Sequence, residues 1–208
     1  MKKLNKKITA IMVIVAVIVF GAIPQSLKAQ VYKLASSADV TIKVLGSSNV
    51  HDWTMTSPTM ESQGNFKFDN GQLRDLTAFS FSLNAKSLKS EHESMDNRTY
   101  KTIKADQFPK ITYKLNSAAV TLVQKNKYQV KTTGDLTIAG TTQTITMNVT
   151  AVVNADNTLT CTGSQKIKLT DYKIDPPSFI LGAMKVKDDL TIQFNLIYKS
   201  TQFITKTN

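Results

Sequence analysis

Cysteine is almost missing from this 208-residue chain: Cys161 stands alone. A single cysteine closes no disulfide within the chain, so stability has to come from a buried core, and lipid attachment at a processed cysteine is excluded. Histidine is nearly as scarce, with only His51 and His92. With no close histidine pair, and no serine or cysteine in a nucleophile pattern, the chain offers little for a catalytic or structural-metal centre. No Pro/Gly/Ser-rich linker, internal repeat or low-complexity tract divides it, which argues for one domain with a sizeable core. The one long apolar run is N-terminal. Lys2, Lys3, Lys6 and Lys7 precede the uncharged run Ile8 to Ile23, and Pro24, Gln25 and Ser26 lead to Leu27-Lys28-Ala29. That order is the order of a secretory signal peptide over residues 1–29, with cleavage after Ala29 and a mature domain over 30–208. The run falls short of the usual spanning length of about 20 residues, which favours cleavage over an uncleaved anchor.

Massed positive charge is also absent. The chain carries a net +11, but residues 1–29 hold five lysines and no acid, which leaves 21 basic and 15 acidic residues and a net +6 for the remainder. Those basic residues are scattered, and no aromatic-basic strand motif of a base-stacking surface occurs, so nucleic acid is not an expected partner. A transient attraction to anionic membrane headgroups stays open. Cys161 alternates with Leu159 and Gly163, which suits a small buried hydrophobe better than a reactive thiol.

What the chain has instead is alternation. From Gly134 to Val153, Leu136 and Ile138 are spaced by two before Ala139-Gly140-Thr141, and Ile145, Met147, Val149, Ala151 and Val153 keep that spacing after it. This is a β-hairpin with one apolar face, which must be covered by a facing sheet or by closure into a barrel. The same period of two recurs at Val40-Ile42-Val44, Phe66-Phe68, Phe79-Phe81-Leu83, Ile111-Tyr113-Leu115 and Leu190-Ile192-Phe194-Leu196-Tyr198. Asp69-Asn70-Gly71 marks a tight turn. Between Ser90 and Gln107 the period changes, predicting a short helix near residues 94–105 that presents Tyr100 and Ile103 to the domain and is ended by Phe108-Pro109. Asp175-Pro176-Pro177 marks a longer loop running through Phe179 to Met184.

If the broken region Val50 to Phe68 is one bent strand, about eight strands result, the number at which a barrel encloses side chains or one small ligand. Runs of a dozen residues at roughly 3.3 Å each make a body on the order of 40 Å tall, and a tall apolar lumen suits a long thin ligand. Two packed sheets would use the same pattern to make a solid core, and periodicity does not separate the two. His51-Asp52-Trp53 is the one place that invites site chemistry, and His92 with Glu91 and Glu93 could add a ligand to it. Neighbouring strand residues point to opposite faces, however, so His51 and Asp52 do not naturally face each other. A polar gate at a barrel mouth, with Trp53 beside it, is the functional reading of His51. A satisfied structural histidine is the competing one.

Several segments together resemble the YceI-like family: Ser47-Ser48-Asn49-Val50-His51-Asp52-Trp53; Met95 to Ile111 with its Phe108-Pro109-Lys110-Ile111 ending; Gly134-Asp135-Leu136-Thr137-Ile138 followed by Gly140; and Pro176-Pro177-Ser178-Phe179 leading to Leu190-Thr191-Ile192. The likeness spans about Tyr32 to Tyr198, rests on order and spacing, and is greatest to the branch found in Bacteroidetes-type bacteria. Many members have a histidine where this chain has Ala139, and a Lys-Pro pair where it has Gln143-Thr144. The resemblance implies an elongated, all-β, eight-stranded antiparallel lipocalin-like barrel, exported to the periplasm rather than released, that holds a polyisoprenoid or other long amphiphilic lipid without being an enzyme. No cofactor or metal is expected. On that reading the tunnel is lined by Phe79, Phe81, Leu83, Ile111, Tyr113, Leu136, Ile138, Ile145, Met147, Val149, Ile192 and Phe194. A filled-core interaction domain is the alternative, and a homodimer stays open.

Overall fold

The computed structural model describes residues 28–179 and 181–201. The proposed signal segment lies outside these residues, apart from Lys28 and Ala29. Twelve strands and one α-helix follow in chain order: β1 (Lys28–Leu34), β2 (Thr41–Ser47), β3 (Asp52–Ser57), β4 (Glu61–Asp69), β5 (Gln72–Asn84), α1 (Glu93–Thr102), β6 (Lys110–Gln124), β7 (Lys127–Ile138), β8 (Thr141–Val153), β9 (Leu159–Lys168), β10 (Ser178–Phe179), β11 (Met184–Lys185) and β12 (Asp189–Ser200). Neighbours around the main sheet run β1, β4, β5, β6, β7, β8, β9, β12, and β12 pairs back onto β1 through Tyr32↔Ser200 to Leu34↔Tyr198. The sheet is therefore a closed antiparallel barrel, which removes the free edges that an open sheet would expose.

Ten strands fill eight places because two of them are bent. β2 pairs with β12 over Thr191–Asn195, on the same edge that β1 takes farther along; β3 pairs with β2 as β4 pairs with β1. β1 and β2 thus make one broken strand, and β3 and β4 the next. The second break falls at Pro58, which has no N–H to give a ladder, and Ser57 supports it by bonding the Thr59 carbonyl at 2.8 Å and the Ser87 hydroxyl at 2.7 Å. The sequence reading anticipated the second break but began its first strand near Val40. β1 went unseen because Val31 points out, 37% exposed, and only Tyr32 of that stretch is deeply buried.

The long hairpin is as expected. Along β7, Tyr128, Val130, Thr132, Leu136 and Ile138 are all buried, and register holds from Lys127↔Val152 to Ile138↔Thr141. Its turn places Ala139 at φ 48° and Gly140 at φ 76°, the double left-handed geometry that matches strand twist in a two-residue loop. Asn70 (φ 50°) and Gly71 (φ 75°) repeat it between β4 and β5.

β5 departs from simple alternation. Its pairing with β4 slips between Asn65 and Phe66 and again between Lys67 and Phe68, so Thr77 and Arg74 are bulged out. Leu73, Leu76 and Phe79, spaced by three, consequently all turn inward.

α1 presents Tyr100 and Ile103 to the body as anticipated: the Tyr100 hydroxyl bonds the Lys86 and Leu88 carbonyls at 2.9 and 2.7 Å, and Ile103 is buried. Its end was misplaced. The helix stops at Thr102, well before Pro109, because Lys104 adopts φ 51° while its N–H bonds the Lys101 carbonyl and that of Ala105 bonds the Tyr100 carbonyl. This is a Schellman closure, with lysine where glycine is usual.

At its other end α1 is fastened by Asp96, only 3% exposed, which accepts from the Ser90 N–H at 2.7 Å and the Ser90 hydroxyl at 2.8 Å and meets Lys89 Nζ at 3.4 Å. Burial alone would raise this carboxyl; the Ser90 bonds and Lys89 outweigh it and hold the group below the usual carboxylate range. A depressed folded value means that the fastening is fully present above the unfolded pKa of about 3.9 and is lost as pH falls through the folded value. Asp96→Asn should therefore lower Tm by roughly 3–6 °C at pH 7, a gap that narrows towards pH 3. A gap that stayed constant from pH 7 to 3 would show that the carboxylate charge is not what holds α1.

Candidate ligand-binding site

The two ends of the barrel are built differently. At one end, aromatic rings pack into a floor: Tyr32 and Phe66 at 5.3 Å, Phe66 and Tyr198 at 6.0 Å, and Phe79 and Tyr198 at 5.9 Å. Buried polar atoms there are paired, with the Tyr198 hydroxyl 2.9 Å from that of Ser62 and the Tyr128 hydroxyl accepting from the Leu73 N–H at 3.1 Å. This half is solid core. Cys161 belongs to it, buried as anticipated, and burial pushes its thiol up to about 12.

Above that floor the interior is hollow. A cavity of about 410 Å³ runs between the strands towards α1, within the size range of sites for small ligands. Its wall includes all twelve residues expected there on the barrel that the resemblance implies, from Phe79, Phe81 and Leu83 of β5 through Ile111 and Tyr113 of β6, Leu136 and Ile138 of β7, and Ile145, Met147 and Val149 of β8 to Ile192 and Phe194 of β12. A row of alternate residues on each strand must face one side of the sheet, and closure makes that side the lumen.

Four inward glycines keep it open. Gly46 lies directly opposite Trp53, Gly64 opposite Phe79 and Gly163 opposite Phe194, while Gly134 lies under the Tyr113 ring one pair removed. At Gly46, Gly134 and Gly163 a methyl group would overlap the aromatic ring. Each ring therefore lies against the wall over a missing side chain instead of projecting across the lumen. Periodicity passed over these pairs, although each is written in the sequence as a glycine at an inward position.

The cavity reaches solvent beside α1, where exposed His51, His92, Ser94 and Arg98 share its lining with Met95, Phe179, Met184 and Val186. Arg98 is the one permanent charge among the described lining residues; its guanidinium stacks 4.6 Å from the Phe179 ring, tying the helix to the β10 loop. The sequence reading placed His51 and Trp53 at this mouth and missed Arg98 and Phe179, which only the fold brings together. His51 does stand at the rim. Trp53 lies deeper, half-buried over Gly46. His92 precedes α1 without capping it through its side chain. Among the described residues no group of three or more His, Cys, Asp or Glu is placed to hold a metal, and no helix is long and apolar enough to cross a membrane.

A closed antiparallel barrel with an apolar chamber opening beside a helix is a lipocalin-like barrel. This chain belongs to the YceI-like family, whose domain matches residues 30–198. Its fold is shared with BcnA of Burkholderia cenocepacia, at TM-score 0.63 and 21% identity over 79% of this chain and 98% of that one. A polyisoprenoid-binding domain from Saccharophagus degradans, implicated in plant cell wall breakdown, superposes at TM-score 0.63 and 13% identity over 83% and 99%. A YceI protein of Campylobacter jejuni gives 0.50 and 19% over 68% and 82%. No curated protein matches the chain.

Proposed function

We propose that this protein is a non-enzymatic carrier that holds a polyisoprenoid or other long-chain amphiphilic lipid in its barrel. The observation that carries the reading is the apolar chamber of about 410 Å³ with a mouth rimmed by polar residues. Each methylene of a chain buried there contributes roughly 0.8 kcal/mol, so a dozen or so suffice for tight retention without any ion pair. Family membership and the polyisoprenoid-binding domain among the similar structures support the same class of cargo. Arg98, His51 and His92 at the rim suit the polar end of such a lipid.

Export to the periplasm follows from the signal-like N-terminus. Cleavage after Ala29 would leave Gln30–Leu34 of β1, whose partners on β4 and β12 close the barrel. For loading, the mouth carries two exposed apolar tips, Val50 and Leu181 at 63% and 110%, in loops joined by Asn49 to the Ala183 carbonyl and Lys185 N–H. Exposed Arg98 lines the mouth and exposed Lys185 and Lys187 flank Val186 of its lining, a combination that suits brief contact with an anionic membrane surface. Replacing Val50 and Leu181 together by Asp should slow lipid transfer between anionic vesicles at least several-fold while bound lipid at equilibrium is unchanged. Equal transfer rates would remove the tips from the loading route.

The deciding experiment is native mass spectrometry of protein purified from its own host's periplasm, followed by organic extraction. A stoichiometric long-chain lipid establishes the carrier and names its cargo. No retained mass, with no uptake of added isoprenoid, shifts the assignment to an interaction domain.

A further inference from the structure

Four buried side-chain polar atoms of the chamber lining have no hydrogen-bond partner, Trp53 Nε1 and the hydroxyls of Tyr172, Tyr113 and Thr132, and the last two lie close to each other. Tyr113 and Thr132 are 6% and 4% exposed, both line the cavity, and the phenolic oxygen and Thr132 Oγ1 are each unpaired. The hydroxyl end of the Tyr113 ring lies over Gly134, on the side of β7 that Thr132 shares. Thr132 is near enough to oppose the rise that burial imposes on the phenol, without completing a bond to it. Below them come Val130 and Ala151, then the aromatic floor. Thr132 is six residues along β7 from Ile138 at the mouth end, about 20 Å of strand, or roughly 15 Å of depth at the usual barrel tilt.

Buried polar atoms are nearly always paired, and leaving two of them bare in an apolar chamber is costly. At the solid end of the same barrel the Tyr128 and Tyr198 hydroxyls are both paired, so the gap is local to the lumen. We infer that Tyr113 and Thr132 form a hydrogen-bonding station, deep in the tunnel, for an uncharged oxygen of the cargo: a carbonyl, ether or hydroxyl on a long apolar chain. This rests on the carrier reading above and narrows it, because a bare hydrocarbon tail would leave both hydroxyls unpaired. An anionic group does not fit. Arg98, the one permanent charge among the described lining residues, stands at the mouth, and a carboxylate or phosphate at this depth would be desolvated without a counter-charge. Burial and nearby Asp135 also push the phenol above its ordinary range, so it remains a proton donor throughout the neutral range.

The test compares hexadecane with hexadecan-2-one labelled with ¹³C at the carbonyl, on the delipidated protein and on the Tyr113→Phe, Thr132→Val double variant. The wild type should bind the ketone about tenfold more tightly than the alkane, the ratio expected of paired hydrogen bonds. The bound carbonyl resonance should lie downfield of its position in an apolar solvent. In the double variant the preference for the ketone over the alkane and the downfield shift should both vanish. Removing two unpaired hydroxyls should also raise the Tm of the empty variant by a few degrees. A wild type that binds both probes equally, or a preference that survives in the double variant, overturns the station and leaves the carrier standing. A wild type that takes up neither probe overturns both.

Discussion

Met147→Glu is expected to empty the tunnel: the folded variant should carry no long-chain lipid, where the carrier reading gives the wild type one equivalent. Met147 faces the lumen from the middle of β8, between Ile145 and Val149, and shares the wall with Leu136, Ile167 and Ile192. An apolar chain laid across a carboxylate excludes the water that would hydrate it and supplies nothing in return. Burying an uncompensated charge costs far more than the few methylenes around it contribute. The empty variant should survive, because its chamber opens to solvent and can admit water to the new group. Binding should fall at least a hundredfold at pH 7 and partly return at acid pH. The introduced carboxyl has a raised pKa in the apolar wall, and protonation abolishes the charge. Met147→Leu, which changes shape but not polarity, should keep the lipid. Full lipid content in a folded Met147→Glu protein would place the cargo elsewhere.

The wall was legible in the sequence because a barrel writes its lumen as parity. Once Ile145, Met147 and Val149 share a face, closure leaves that face no other destination, and the twelve residues read from such rows all line the cavity. Alternation could not choose between a barrel and a sandwich, since both bury one face; that choice depends on the β1 to β12 pairing, made between the two ends of the described chain. It also failed where a strand is bent or bulged. Leu73, Leu76 and Phe79 share an inward face only because two residues are looped out between them. Thr132 and Gly134 went unread for a different reason. They occupy inward positions of β7 between Val130 and Leu136, but a search for apolar residues skips a polar and a bare position. Following parity instead of hydrophobicity would have found both. Arg98 and Phe179 lie eighty-one residues apart and meet only across the mouth, a contact that no local pattern encodes.

Gly163→Ala should damage the protein out of proportion to one methyl group. Gly163 pairs directly with Phe194 across β9 and β12, and a Cβ there would overlap the ring. β12 is held on both edges at this level, by Gly163 of β9 and Ile42 of β2, so the backbone has little freedom to yield. The ring has to swing towards the lumen. Overpacking of this kind costs about 1–3 kcal/mol, so Tm should fall by roughly 2–12 °C. The functional loss should be larger. Phe194 packs against both the solid end and the β2–β3 side of the chamber, so its displaced ring would stand across the passage between them and shorten the tunnel. Long cargo should be lost while short chains are still accepted. Phe194→Leu in the Gly163→Ala background should restore both stability and chain-length range, because the smaller side chain no longer needs the space over Gly163. The two substitutions would then be strongly non-additive, as expected for groups in direct contact. Additive effects, or a Gly163→Ala protein with unchanged Tm and unchanged cargo, would show that the ring does not depend on the glycine and that the open lumen has another cause.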